Sequence, residues 1–302
     1  MTTPRRTALA TAAAALVLAA TQLAAPVAAL PEGPGAGGPP DWAPVEGATI
    51  FPGARVKTGP QFCTSNFVFY DAKGNVYLGQ AARCAAAAPG VDADKNGCAA
   101  RSLPLGTEVA FPDSRVTGTL AYSSWTAMQG AGERDPAACN SNDFALVKLP
   151  SFAVGQVNPS VPLLGGPVGL DTDGTEPGEL VLGYANSDIR GTLEDIKPRQ
   201  AVSVGDGPGN WVHLIYALNP SIDGDGGGPY MDGGGHALGS LVGTIVGPPP
   251  AADAITDIAK ALAYAQEHSG IKGLKLALGT KAFEGPYVIS PLLNQLVPPP
   301  KS

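Results

Sequence analysis

Apolar residues along this chain arrive in short bursts broken by turn formers, a pattern of strands rather than long helices. Phe67 to Tyr70 and Val76 to Leu78 flank the turn Asp71-Ala72-Lys73-Gly74 and predict a hairpin. Glu108 to Phe111, Val116 to Tyr122 and Phe144 to Leu149 predict further strands of a first half. A Pro/Gly-rich connection over roughly 150–178 leads to a second half, with strands predicted at Glu179 to Tyr184, Ala201 to Val204, Trp211 to Ala217 and Ala237 to Val246. One helix is predicted, Ala251 to His268. It follows the breaker Pro248-Pro249-Pro250, spaces Ile255, Ile258, Leu262 and Ala265 on one face, and stops before Gly270. Its other face carries Asp257, Lys260 and Gln266 and is not basic, so the helix reads as packed on a β core rather than lying on a membrane. A short run, Leu274 to Leu278, and a Pro-rich tail end the chain.

Composition agrees with many turns: 40 Gly and 30 Pro among 302 residues, with 44% hydrophobic and 15% charged residues, which excludes wholesale disorder. Lys and Arg number 19 against 26 Asp and Glu, a net charge of −7, which argues against nucleic acid as a partner. Arg5 and Arg6, a long Ala/Leu/Val run and the small residues Val27-Ala28-Ala29 predict a signal peptide over 1–29. A membrane anchor is the alternative, but the run is mostly Ala and a cleavage site follows it. The adjacent arginines fit twin-arginine export only loosely. Cleavage removes two arginines and no acid, so 17 basic residues face 26 acidic ones and the net charge becomes −9. No later segment is long and apolar enough to span a bilayer, so a secreted, extracellular protein with no integral membrane segment is expected. The expected organisation is a Pro/Gly-rich leader over 30–54, a first β unit over 55–155, a second over 156–250, and a helix and tail over 251–302.

Export makes disulfides the expected state of Cys63, Cys84, Cys98 and Cys139. Four cysteines allow three pairings; Cys63–Cys84 across a hairpin with Cys98–Cys139 is favoured. Zinc lacks its paired ligand spacing, and no metal or cofactor is expected. Asp92-Ala93-Asp94-Lys95-Asn96-Gly97 opens like a calcium loop, yet Leu103 stands where the bidentate Glu belongs. The segment reads as an acidic surface turn, with a calcium-stabilised structural protein of the envelope kept as an alternative.

Three segments, in order, carry a resemblance: CTSNFVFYDAKGNVYLGQAARC (63–84), NDFALVKL (142–149) and IDGDGGGPYMDGGGHALGSLVG (222–243). Together they resemble the chymotrypsin/trypsin-like serine proteases, in particular their secreted actinobacterial branch. The C-terminal segment ITDIAKALAYAQEHSGIKGLKLALGT is similar to the end of that branch, and the resemblance covers most of 55–285. It implies an all-β fold of two antiparallel six-stranded β-barrels with a C-terminal α-helix. It also implies that the family's TAxHC motif falls on Ala82-Arg83-Cys84, its orienting Asp on Asp143, and its GDSGGP motif on Gly224 to Pro229.

Two of the three triad positions depart from the family: Arg83 stands for the His and Gly226 for the Ser, while Asp143 is retained. Acyl transfer needs a nucleophilic oxygen and a base to take its proton. Glycine has no side chain, and a guanidinium offers only donors. Hydrolysis by this triad is therefore not expected. By resemblance the N–H groups of Gly224 and Gly226 form an oxyanion-hole-like pair, and Asp225 has a structural role beneath the loop. The glycines at 224 and 226 to 228 predict a loose loop. Arg83 is expected to pair with Asp143, which would otherwise lie buried without a partner. The expected function is that of a secreted serine-protease homologue, catalytically inactive, taking a peptide or protein ligand in the inter-barrel cleft. The alternative is a secreted trypsin-like endopeptidase with relocated catalytic residues. For that reading the chain offers His213, His236 and His268, with Ser221 the hydroxyl nearest Gly226.

Overall fold

The computed structural model describes residues 38–88, 92, 96–219, 221–244 and 252–285. The signal peptide expected over 1–29 lies outside the described residues. Strands β1 (Arg55–Thr58), β2 (Gln61–Thr64), β3 (Val68–Tyr70), β4 (Val76–Gln80), β5 (Glu108–Phe111), β6 (Val116–Ser123) and β7 (Ala145–Lys148) form a first antiparallel sheet. Its order is β3–β4–β7–β6–β5–β1–β2. Because β2 runs through 65–67 directly into β3, one bent strand pairs with β1 at one end and with β4 at the other, and the sheet closes into a six-stranded barrel. Strand β6 shows the alternation such a wall requires: Val116, Gly118 and Leu120 point inward, Thr117 and Thr119 outward.

The second half holds β8 (Gly169–Leu170), β9 (Leu180–Tyr184), β10 (Pro198–Asp206), β11 (Val212–Ala217), β12 (Pro229–Asp232), β13 (His236–Thr244) and β14 (Asp253–Asp257). They run β12–β9–β10–β11–β14–β13, and β12 pairs back onto β13, so this ring also closes at six strands, with β8 added in parallel to β13. Among the described residues three α-helices accompany the barrels: α1 (Ser124–Ala131), α2 (Pro136–Ser141) and α3 (Ile258–His268). A last short strand, β15 (Lys275–Leu276), pairs with β3 and carries the chain end back to the first barrel.

A buried seam joins the two barrels and α3. Phe67, Phe69, Tyr122 and Phe144 from the first barrel meet Leu182, Tyr184 and Met231 from the second, and Ile258, Leu262 and Ala265 from α3. The Phe69 and Phe144 rings meet edge to face at 5.4 Å. Each large apolar side chain buried there contributes about 1.5–3 kcal/mol. Both disulfides form as favoured, Cys63–Cys84 and Cys98–Cys139. The leader packs rather than trailing: Ala43 donates to Val157 O at 2.9 Å, and Ile50 is fully buried.

The helix expected from Ala251 is shorter than its periodicity predicts. Residues Asp253–Asp257 form strand β14 instead, all five buried between β11 and β13. Ile255 satisfies a helical stripe and a buried strand equally well, and tertiary pairing decides for the strand. The helix begins where Asp257 Oδ1 accepts the amide of Lys260 at 2.7 Å as its N-cap. Pattern reading also misses α1 and α2. The latter carries its own signal, Asp135 as N-cap followed by Pro136. No helix among the described residues is long and apolar enough to cross a membrane.

His213, fully buried on β11, sits between two carboxylates, with Nδ1 2.6 Å from Asp206 Oδ1 and Nε2 3.2 Å from Asp257 Oδ2. The second contact is close enough for an ion pair but is not aligned as a hydrogen bond. Burial alone disfavours the imidazolium, but Asp257 and Asp206 outweigh it and raise the His213 pKa. A raised folded pKa contributes stability that is complete below the unfolded value of about 6.5 and is lost as pH rises through the folded value. The Tm advantage of the wild type over His213→Gln is therefore expected to shrink between pH 6 and pH 9. A gap independent of pH would contradict this linkage.

Candidate functional site

Three segments converge at one side of the barrels. Strand β4 ends in a 3-10 turn, Ala82–Ala85, and the Cys63–Cys84 bond fastens this turn to β2. The turn carries Arg83. Asp143 lies just before β7, with a side chain only 3% exposed. The loop Ile222 to Gly228 leads into β12. Arg83 and the loop residues Ile222 to Gly224 and Gly226, together with Gln61, Phe62 and the β13 residues Leu241 to Thr244, line a cavity of about 340 Å³.

Arg83 grips Asp143 twice. Its backbone N–H donates to Asp143 Oδ1 at 2.8 Å, and its Nε donates to Oδ2. Both carboxylate oxygens of a nearly buried Asp are thereby satisfied, and the outer guanidinium nitrogens, Nη1 and Nη2, bond to nothing among the described residues. Arg83 lines the cavity, and its Nη1 lies 4.0 Å from where a Cβ on Gly243 would stand.

The 222–228 loop is held far more firmly than its glycines predict. Asp225, fully buried, takes Arg190 Nε at 2.9 Å, Arg190 Nη2 at 2.6 Å and the Ile222 amide at 3.0 Å. Gly226 O accepts from Thr64 N at 3.0 Å, Gly224 O from Thr64 Oγ1 at 2.9 Å, and Gly227 O from Ser240 Oγ at 3.0 Å. Gly227 has φ +91°, and a Cβ there would stand 2.3 Å from Thr64 O, so glycine is required. At Gly226 the opposite holds: a Cβ would meet no atom within 4 Å. The N–H groups of Gly224 and Gly226 donate to no acceptor among the described residues. The freedom of the glycines is thus consumed by backbone contacts, which corrects the expectation of a loose loop.

The three histidines lie elsewhere. His236 Nδ1 is 2.9 Å from Asp232, and His268 packs on Tyr264 with ring centroids 4.2 Å apart. Ser221 does line the cavity. Its Oγ donates to Asp253 Oδ1 at 2.5 Å and lies 2.6 Å from Thr244 Oγ1, while Asp253 Oδ2 takes the buried Arg199 Nη2 at 2.8 Å. Asp92 is no surface turn residue: it is fully buried, accepts the Ala88 amide at 3.1 Å and pairs with Arg101 at 3.2 Å. Its neighbours 93–95 lie outside the described residues. Among the described residues no group of three or more His, Cys, Asp or Glu could hold a metal ion. Sequence reading missed Arg190, Thr64 and Ser240. Only the need of a buried Asp225 for a cation pointed toward the first.

Arg83→Ala leaves the Asp143 carboxylate with a backbone donor alone. It is expected to destabilise by about 1–3 kcal/mol, the range for an acceptor that loses a partner, and a second change, Asp143→Asn, is expected to recover part of the loss. An unchanged Tm in Arg83→Ala would show that the pair contributes nothing.

No protein-family model and no curated protein matches the chain. Among solved structures it is similar to Thermobifida fusca protease A, at 18% identity over 77% of this chain and 100% of that one, with a TM-score of 0.46. A Nocardiopsis protease shares 16% identity over 75% and 98%, and a Cellulomonas bogoriensis chymotrypsin 16% over 76% and 98%, each with a TM-score of 0.42. At such identities and scores these likenesses add nothing to what the strand order shows. That order, a first ring closed by a bent strand and a second closed by β12 on β13, is the double-barrel fold of the chymotrypsin-like serine proteases.

Proposed function

We propose that this chain is an exported protease-fold protein that does not hydrolyse peptides by a serine mechanism and instead uses the inter-barrel cleft to bind a peptide or protein segment. The observation that carries this reading is the pair of facing positions. Gly226 offers empty space where a nucleophile would stand, and Arg83 fills the place of a base with a group that only donates. Asp143, which would orient an imidazole, is occupied at both oxygens by Arg83. Asp225, locked by Arg190 beneath the loop, takes a structural role, and Gly224 and Gly226 keep oxyanion-hole-like donors without a reaction to serve. The two disulfides fit an oxidising compartment outside the cell.

One arrangement favours a second reading. Ser221 donates to the Asp253 carboxylate at 2.5 Å inside the same cavity, which is the surrounding of an activated hydroxyl. Against it, Asp253 is shared among Ser221, Thr244 and Arg199, and no histidine lines the cavity among the described residues.

A fluorophosphonate probe separates the two. Protein 30–302 is expected to take no label beyond a heat-denatured control, whereas an adduct mapped to Ser221 would overturn the silent reading. Because a side chain at position 226 meets no atom, the double variant Arg83→His/Gly226→Ser is expected to fold and to gain labelling at the new serine. Folded but unreactive double variant would show that the loop no longer presents position 226 to the cleft.

A further inference from the structure

We infer that the group the cleft recognises is a carboxylate of a peptide, held between the Arg83 guanidinium and the N–H groups of Gly224 and Gly226; this rests on the cleft being a binding site at all. Donors stand along two walls of the cavity. On one side stand the outer nitrogens of Arg83, which bond to nothing among the described residues while Nε holds the side chain on Asp143. On the other stand two backbone N–H groups without acceptors, in a loop fixed by Thr64, Ser240 and Asp225. Between them lies the volume that Gly226 leaves open.

A neutral carbonyl would use only part of this arrangement. It brings one oxygen to the backbone donors and leaves the outer nitrogens of Arg83 without an acceptor. A carboxylate brings two oxygens and a full negative charge, one oxygen for the backbone pair and one for the guanidinium, and charge-assisted bonds of this kind are about twice as strong as neutral ones. An inorganic anion would leave Phe62, Ile222, Leu241 and Val242 without apolar contact, whereas a peptide end carries a side chain to cover them. Two carboxylates stand near: Asp253 is matched by Arg199 with two hydroxyls on its other oxygen, and Asp223, on the cavity wall, is exposed to solvent, which screens its charge.

Two chemically identical sources exist, the C-terminal carboxylate and an Asp or Glu side chain, and a designed library separates them. The immobilised protein is offered an equal mixture of random hexapeptides as free acids and as C-terminal amides, the two distinguished by isotopic mass, and the retained peptides are counted by mass spectrometry. At least about tenfold enrichment of free acids over amides is expected. Retention of amides only when they contain Asp or Glu would uphold the carboxylate and assign it to a side chain. Equal retention of acids and amides regardless of acidic residues would overturn this inference and leave the binding reading standing. Retention of no peptide would overturn both. The enrichment is expected to vanish in Arg83→Gln, whose folding is checked by its melting curve. It is also expected to vanish in Gly226→Val, which fills the open volume while leaving the Arg83–Asp143 pair untouched. Undiminished enrichment in a folded Gly226→Val would place the carboxylate elsewhere and overturn the assignment.

Discussion

Asp225 and Arg190 are both almost wholly withdrawn from water, and the rest of the cleft is arranged around the bond between them. Removing two charges from solvent costs several kcal/mol for each, and only close geometry with further hydrogen bonds offsets it. Here the guanidinium grips the carboxylate through two nitrogens, and the Ile222 amide adds a third donor. Once Asp225 is fixed, the residues on either side of it have little choice. The carbonyls of Gly224 and Gly226 fall on Thr64 of the first barrel, and that of Gly227 falls on Ser240 of the second. The same loop therefore fixes the donors of the cleft and ties the two barrels together at its floor.

The opposite wall obeys a similar logic on a smaller scale. The turn that bears Arg83 is bonded to β2 through Cys84, and the Arg83 amide is already committed to Asp143. The side chain then places its inner nitrogen on the second carboxylate oxygen while its Nη1 reaches toward Gly243 on the cavity wall. Arginine in this place is a fixed positive charge whose planar group only donates.

Most strands were legible because alternation and turn residues are local signals. Glu108 to Phe111 is a strand at the very bounds its pattern predicts, and Val116 to Tyr122 falls short by one residue. The short strands β8 and β12, of two and four residues, left no periodicity to read. The stretch Asp253–Asp257 was misread because a fully buried strand and a helix stripe share the same apolar residues. At the site, Arg83, Asp143 and Gly226 were readable from motif order, since each lies in a segment with its own signature. Arg190 and Thr64 were not, because they reach the loop from distant parts of the chain and nothing in their local sequence announces it. The looseness expected from consecutive glycines failed for the same reason: flexibility is a property of the free chain, and here long-range hydrogen bonds remove it.

The contrast between two neighbouring glycines has a historical meaning. Gly227 is compelled by Thr64 O, which leaves no room for any side chain, whereas Gly226 touches nothing that a side chain would disturb. Folding therefore holds no opinion about position 226, whereas it dictates glycine at 227. Selection for a stable fold would therefore preserve Gly227 and the Asp225–Arg190 pair and would leave the residue at 226 free to vary. The chemistry of this wall can change without a change in the shape that carries it.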